Sequence, residues 1–140
     1  ALELFVHEIK ETITEAGNCQ PLKKYGAELE EALQNFQKTA RYLLGLALKG
    51  DMEIFLADAT LYLEMAGIIT IAWQWLKQGV CAAKQCEGCA DGALMKFYES
   101  KIHTMKFFFK YELPRAETIS GILMDDEVLT VGVDESLFVD

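Results

Sequence analysis

Three cysteines lie close together in one stretch rich in glycine and alanine, with the spacing Cys81-x4-Cys86-x2-Cys89. Thiolates separated by two residues can share one metal ion, and such pairs also carry redox chemistry where a strand leads into a helix. A closed zinc site needs a fourth ligand, but the sequence has no second CxxC pair and no paired-histidine motif. We therefore predict no metal site here and interpret the cysteines as part of a flexible loop of small residues.

Two carboxylates, Asp58 and Glu64, lie in or beside a strongly apolar segment. Burial raises the pKa of a carboxylate and can turn it into a general base. No histidine, nucleophile or second acid accompanies either residue in the sequence. We interpret both as structural residues at the edge of a buried face, and we predict no catalytic residue in this chain.

A cationic strip follows further along the chain. Lys96, His103, Lys106 and Lys110 share one face at helical spacing, and Arg115 comes shortly after them. Such a strip can bind the phosphates of a coenzyme A ligand or an acidic patch on a neighbouring domain. The alternative is a solvated outer helix face, with the later lysines favoured by the negative end of the helix dipole. The sequence leaves both interpretations open.

Aromatic residues occur in positions that a single helix face cannot hold. Trp73 and Trp75 are two residues apart, so we expect one to fill the core and the other to remain for an interface. The run 107–109 consists of three phenylalanines, and at least one of them must leave the inner face. Both sites predict an apolar patch that another surface covers. The candidate interface residues are Trp73, Trp75, Phe107, Lys106, Lys110 and Arg115.

Length and composition limit the kind of protein. The chain has 140 residues, of which 51% are hydrophobic, enough for one domain with a real core. With 13 basic and 22 acidic residues the net charge is -9, which argues against nucleic acid or an anionic membrane as a partner. Four cysteines in a chain with such a core are expected to be free thiols in a reducing cytoplasm. A sequence that starts at Ala1, inside a helical pattern and without a signal peptide, is expected to be part of a longer chain.

The spacing of apolar residues predicts an all-α fold. Apolar residues recur every three to four positions over residues 2–13 and again over residues 22–48, which predicts two amphipathic helices. Gly17-Asn18 tolerates a left-handed backbone and is predicted to end the first helix. Pro21 suits the first turn of the second helix, where no N–H is needed.

A third helix is predicted from Asp51 to about Gln78. Gly50 is expected to end the preceding helix in a left-handed conformation, and the carboxylate of Asp51 is expected to cap the new one. This helix is apolar on most sides, so it should either lie at the centre of a bundle or be covered by a partner. It is a poor transmembrane segment, because it contains Glu64 and falls short of the roughly 20 apolar residues that span a bilayer.

The remaining chain is predicted to form a loop, two helices and a tail. We expect a loop over residues 79–92, then a helix capped by Asp91 and stopped at Leu113-Pro114, and a short helix over residues 114–123. From Asp125 onward an extended acidic tail is predicted. The predicted inner face of the fourth helix comprises Leu94, Phe97, Tyr98, Ile102, Met105 and Phe109. The prediction is a single domain over residues 1–140: an antiparallel up-down bundle of four main helices, a short C-terminal helix and the tail.

Several short motifs resemble the extra C-terminal domain of the long-type acyl-CoA dehydrogenases. The resemblance covers the chain from about residue 1 to its end and is weakest in the first helix and in the cysteine loop. These motifs concern how helices pack and where they end, so they identify the domain more specifically than they identify a substrate. The matching segments are Phe97-Tyr98-Glu99-Ser100-Lys101, Phe107-Phe108-Phe109, Glu112-Leu113-Pro114-Arg115, Trp73-Gln74-Trp75, Tyr62-Leu63-Glu64, Gly50-Asp51 and Asp134-Glu135 with Leu137-Phe138.

The resemblance implies a reaction for the parent enzyme and a structural role for this chain. The parent would remove an α proton and a β hydride from an acyl-CoA thioester, with a carboxylate base and with FAD as hydride acceptor. The base and the flavin contacts belong to domains that precede this one, so no catalytic, cofactor-binding or metal-binding residue is implied here. The chain would be a helical buttress on the catalytic body or on a second subunit of a homo-oligomer. The alternatives are a stand-alone helical interaction or dimerisation module and, less favoured, a small metal or redox protein.

Overall fold

The computed structural model describes residues 1–127, 129 and 131–139, and within these residues every regular element is helical. The all-α prediction is therefore confirmed. The six α-helices are α1 (Leu2–Gly17), α2 (Lys23–Leu48), α3 (Met52–Ala57), α4 (Ala59–Cys86), α5 (Gly92–Tyr111) and α6 (Arg115–Leu123); short 3₁₀ turns occupy Gln20–Leu22 and Glu135–Phe138.

The helices α1 and α2 form an antiparallel hairpin through their apolar stripes. Val6 and Ile9 of α1 are buried, and so are Leu29 and Leu33 of α2. Pro21 lies in the 3₁₀ turn that joins the two helices, close to its predicted place. Helix α1 ends where predicted, but Asn18 keeps a right-handed backbone (φ -86°), so the expected left-handed cap is absent at that residue.

The predicted third helix is broken into α3 and α4 by a turn at Asp58. Gly50 is left-handed as expected (φ 89°), whereas the carboxylate of Asp51 makes no capping hydrogen bond, so that cap prediction is wrong. The short helix α3 packs more extensively on α2 than on α4, and the ring of Phe55 is half-buried there. This tertiary contact turns α3 away from α4, and apolar periodicity carries no signal of it.

Helix α4 continues to Cys86, so the prediction of a loop beginning at Gly79 is wrong. A Cβ atom added to Gly79 would lie 2.6 Å from the Sδ of Met105, which is fully buried on α5. Gly79 therefore permits the close approach of α4 and α5 and does not mark a turn. The actual turn lies at residues 87–91, where Gly88 has φ 73°.

Helices α5 and α6 together form the fourth rod of the bundle, interrupted at Pro114. The Asp91 carboxylate accepts hydrogen bonds from the amides of Ala93 and Leu94, which confirms the predicted cap. Helix α5 packs on α4, and α6 packs on α4 and α2. Between α2 and α6 the buried hydroxyls of Thr39 and Ser120 lie 2.8 Å apart and satisfy each other.

The predicted inner face of α5 is only partly correct. Met105 and Phe109 are buried, but Leu94 and Phe97 are 42% and 53% exposed. Gly79 faces Met105 in an antiparallel pairing, so the first turn of α5 extends past the end of α4 at Cys86. Within the described residues, no facing helix remains there to cover the first apolar residues of α5.

Helix α4 lies at the centre, in contact with α1, α2, α3, α5 and α6. Its inner residues Met65, Ile69, Ala72 and Leu76 have no exposed surface. Of the two positions predicted from its apolar composition, the structure shows the central one. Among the described residues, no helix is both long and apolar enough to cross a membrane.

Candidate interaction surfaces

The outer face of α5 combines lysines with exposed aromatic rings. Phe107 is 54% exposed, Phe108 is half-buried and Phe109 is buried, so the three phenylalanines separate as the helix geometry requires. The ring centroids of Phe107 and Tyr111 are 4.8 Å apart, and the ammonium of Lys110 lies 5.2 Å from the Tyr111 centroid. We define the α5 outer face as Lys96, His103, Phe107, Lys110 and Tyr111, all of which are exposed.

The lysines of α5 make no ion pair with any carboxylate in the described part of the chain. Arg115 differs from them, because its guanidinium bonds the carboxylates of both Glu64 and Glu112. The hydrogen bond that Arg115 donates to Glu112, together with the charge of Glu64, raises the pKa of Arg115. Arg115 therefore joins α4 to the junction of α5 and α6, and a phosphate would have to compete with two carboxylates for it. Its interface role stays a prediction.

Glu64 and Asp58, the two candidate bases, have structural surroundings. Glu64 is exposed and paired with Arg115, which agrees with the structural interpretation from sequence. Asp58 is half-buried at the turn between α3 and α4, where its side chain makes no capping bond. Its charge contributes to the raised pKa of Tyr42, which arises mainly from burial and from the hydrogen bond to Asp126.

An open groove of about 560 Å³ separates α2 from the end of α5 and the start of α6. Its aromatic lining includes the edge-to-face pair Tyr25 and Phe109, whose centroids are 5.5 Å apart. Lys106 and Lys110 line this groove, so the structure places part of the predicted cationic strip at a concave surface. The formal charge of the lining is zero, because it contains three lysines and three glutamates. The lining residues are Lys24, Tyr25, Glu28, Glu31, Ala32, Asn35, Lys106, Phe109, Lys110, Leu113, Pro114 and Glu117.

A second groove, of about 340 Å³, lies against α2, α3 and the start of α4 and is mostly apolar. Exposed apolar side chains concentrate on the elements around it, and Leu48 and Leu56 are 80% and 61% exposed. This surface was not predicted from the sequence. The signal for it is the apolar stripe of α2, which continues to Leu48 although no predicted helix is assigned to cover its end. We define the α2–α3 apolar surface as Leu2, Leu44, Leu48, Met52 and Leu56.

The two tryptophans do not divide as expected. Both Trp73 and Trp75 are half-buried and pack against the core, so neither fills it completely. The indole Nε1 of Trp73 donates to Oγ1 of Thr12 at 2.9 Å, and its ring meets Phe5 edge to face at 6.1 Å. Trp73 therefore connects α4 to α1. The predicted interface roles of the two tryptophans remain untested.

Replacing Trp73 with phenylalanine should lower the free energy of unfolding by about 1–2 kcal/mol, because Thr12 loses its bonded partner in a part-buried setting. The matched change Trp75→Phe removes no hydrogen bond seen within the described residues and should cost less. Urea unfolding monitored by circular dichroism measures both. Equal losses would show that the bond to Thr12 adds nothing to stability.

The four cysteines are free thiols spread over three places in the fold. Cys81 is exposed on α4, Cys86 ends α4 and Cys89 lies in the following turn, while Cys19 lies between α1 and α2. Within the described part of the chain, no three histidine, cysteine or acidic side chains cluster closely enough to hold a metal ion. Burial, with the charges of Glu99 and Cys89, raises the pKa of Cys86 and so lowers its reactive thiolate fraction.

The bundle, with α4 at its centre and a fourth rod interrupted at Pro114, was compared with known protein families. The family model described as Acetyl-CoA dehydrogenase C-terminal like matches residues 5–133. The chain belongs to this family. A search of curated proteins found no match, and neither did a search of solved structures.

Membership in the acetyl-CoA dehydrogenase C-terminal-like family raises the question of whether this chain holds a flavin. A dinucleotide-binding site places polar groups in a concave, partly buried pocket. All buried side-chain nitrogen and oxygen atoms in the described residues already have hydrogen-bond partners. The larger groove presents opposed lysines and glutamates, and the smaller one is apolar. These residues do not fit FAD, so we derive no catalytic step from this domain.

Proposed function

We propose that this chain is the helical C-terminal domain of an FAD-dependent acyl-CoA dehydrogenase, and that it packs on the catalytic body of the same enzyme or of a second subunit in a homo-oligomer. The parent enzyme would carry out α,β-dehydrogenation of an acyl-CoA thioester. Family membership over residues 5–133 supports the assignment. Base, flavin and substrate contacts would then belong to the preceding domains, and a cytoplasmic location stays a prediction.

The observation that carries the packing role is the α2–α3 apolar surface. Its leucines and methionine are between 44% and 80% exposed, and the adjoining groove is lined largely by apolar atoms. Monomeric proteins rarely leave contiguous apolar patches uncovered, because burying apolar area stabilises by roughly 25 cal/mol per Å². Arg41 is the single charged residue in the groove lining, and it is exposed, so its guanidinium can stay in water while its stem and the apolar side chains are covered.

We assign the catalytic body to the α2–α3 apolar surface in preference to the α5 outer face. Apolar surfaces with few charges are typical of permanent contacts, whereas charged rims are typical of transient or exchangeable ones. Leu2 of α1 lines the same groove, so a preceding domain that enters through α1 would meet this surface first.

The alternative, a stand-alone dimerisation module, would use the same apolar surface to pair two copies. The upstream reading frame discriminates between the two. We expect several hundred codons before Ala1 that encode a flavin-binding body, whereas a start codon at about this point would remove the dehydrogenase assignment.

Activity and binding measurements test the proposed role directly. The 140-residue chain alone should purify colourless and should reduce no electron-accepting dye with any acyl-CoA. Mixed with its separately expressed upstream body, it should bind, and the double change Leu48→Asp/Leu56→Asp should weaken that binding at least about tenfold, since two charges would be buried without partners.

The matched control Gln34→Asp/Gln78→Asp introduces the same charge at exposed polar positions of α2 and α4. It should leave the dissociation constant within about threefold of the original value. Copurified flavin at near-equal stoichiometry would contradict the non-catalytic role. Equal weakening by both double variants would show that the apolar surface is not where the body docks.

A further inference from the structure

The end of the chain is acidic and carries exposed apolar side chains. The negative charge of the whole protein is -9, and residues 125–140 contain six acidic residues and no lysine or arginine. Leu137, Phe138 and Val139 are 75%, 80% and 76% exposed. A 3₁₀ turn at Glu135–Phe138 organises this segment, and the Asp134 carboxylate caps it by accepting from the amide of Ser136. We call residues 134–139 the acidic turn.

The α5 outer face is its chemical complement. Helix α5 contains four lysines and a single glutamate, in a chain where acidic residues outnumber basic ones. Lys110 lies one turn after Phe107, and Lys96 lies about three turns before it on the same face. Phe107 and Tyr111 are 54% and 56% exposed. Cations thus share this face of α5 with exposed aromatic rings, while acids precede exposed apolar side chains in the turn.

We propose that the acidic turn of one copy docks on the α5 outer face of a second copy of this chain. Asp134 and Glu135 would pair with the α5 lysines, and Leu137 and Phe138 would cover Phe107 and Tyr111. Charge complementarity sets the orientation and the rate of encounter, and burial of the aromatic surface adds affinity. The inference does not depend on the dehydrogenase assignment.

The acidic turn can reach the α5 outer face of a second copy more easily than the α5 outer face of its own chain. Tyr42 donates to Asp126 at 3.1 Å, which holds the start of the tail beside the C-terminal half of α2. Helix α5 meets α2 at Tyr25, 17 residues and about 25 Å away along the helix. The eight residues from Asp126 to Asp134 span at most about 28 Å, so an intramolecular contact would need an almost fully extended link.

Sedimentation velocity over a dilution series of the 140-residue chain tests the proposal. The series is run at low salt and again with about 0.5 M NaCl, where the screening length is about 4 Å. We expect concentration-dependent dimers that dissociate at high salt. Lys96→Glu/Lys110→Glu should raise the dissociation constant at least about tenfold, and Asp134→Lys/Glu135→Lys should do the same. Combining equal amounts of these two variants should restore association, because the unaltered turn of the first variant meets the unaltered α5 of the second and the reversed turn meets the reversed α5.

The control Lys10→Glu/Lys38→Glu changes the net charge equally at exposed sites on α1 and α2 and should leave association within about threefold. Circular dichroism confirms that each variant remains helical. A chain that is monomeric at millimolar concentration overturns the proposal, and so does a dimer insensitive to both charge reversals. Cross-links between the acidic turn and α5 that form only within one chain overturn it as well.

Discussion

Replacing Phe36 with alanine should lower the free energy of unfolding by about 3–5 kcal/mol, the usual cost of deleting a buried aromatic ring. Phe36 is 2% exposed and lies where α1, α2 and α4 meet. Its ring stacks on Tyr62 with centroids 5.1 Å apart, and it meets Phe5 edge to face at 6.1 Å. The truncation would leave a cavity bordered by three helices whose backbones cannot all move inward.

Phe107→Ala is the matched control for the Phe36 variant. The same side chain is removed, but from the exposed face of α5, so in the monomer, at concentrations too low for copies to associate, the change should stay within about 0.5 kcal/mol. Urea denaturation with a shared m-value gives both free energies. A loss of under about 1 kcal/mol for Phe36→Ala would show that the three-helix junction is loosely packed. A large loss for Phe107→Ala would place that ring inside an interface of the purified protein.

Gly79→Leu is the second large expected effect, a destabilisation of about 3 kcal/mol from overpacking. The first added carbon would already lie 2.6 Å from the Sδ of Met105, and Cδ1 of Leu22 is 3.8 Å away. Met105 and Leu22 have no exposed surface, so neither can swing into solvent. The change therefore has to separate α4 from α5.

Two further variants separate packing from backbone effects at Gly79. Gly67→Ala lies on the same helix with nothing within 4 Å of an added Cβ, and it should stabilise by about 0.5–1 kcal/mol through lower chain entropy. The double variant Gly79→Leu/Met105→Ala should cost less than the sum of its parts, since the shortened side chain vacates the space that leucine fills. Strict additivity would mean that the α4–α5 contact does not limit residue size at position 79.

Two surfaces with different chemistry make this domain suited to two different contacts. The groove beside the α2–α3 apolar surface has one charged residue in its lining and suits a permanent partner, while the α5 outer face is cationic and suits a salt-sensitive one. Variants at Leu48 and Leu56 should therefore act independently of variants at Lys96 and Lys110. Coupling between the two sets would indicate that one partner covers both surfaces.

The sequence by itself determined the helical class, most helix ends and the family. Apolar residues at three- and four-residue spacing, a cap at Asp91 and a stop at Pro114 are local signals, and local backbone physics acts on them directly. The three phenylalanines at 107–109 could be assigned to different directions for the same reason, because helix geometry alone forbids a shared face.

Only the tertiary structure decided where glycines, carboxylates and aromatic residues face a partner. The sequence predicts a loop that begins at Gly79, but Gly79 is a contact point between α4 and α5, and the residues next to it in sequence do not distinguish the two uses. Glu64 and Arg115 are 51 residues apart in sequence and form an ion pair. Leu94 and Phe97 are exposed because α4 ends at Cys86 and does not cover the start of α5. Spacing reports which side of a helix a residue occupies, whereas the neighbour on that side is set by how the helices pack.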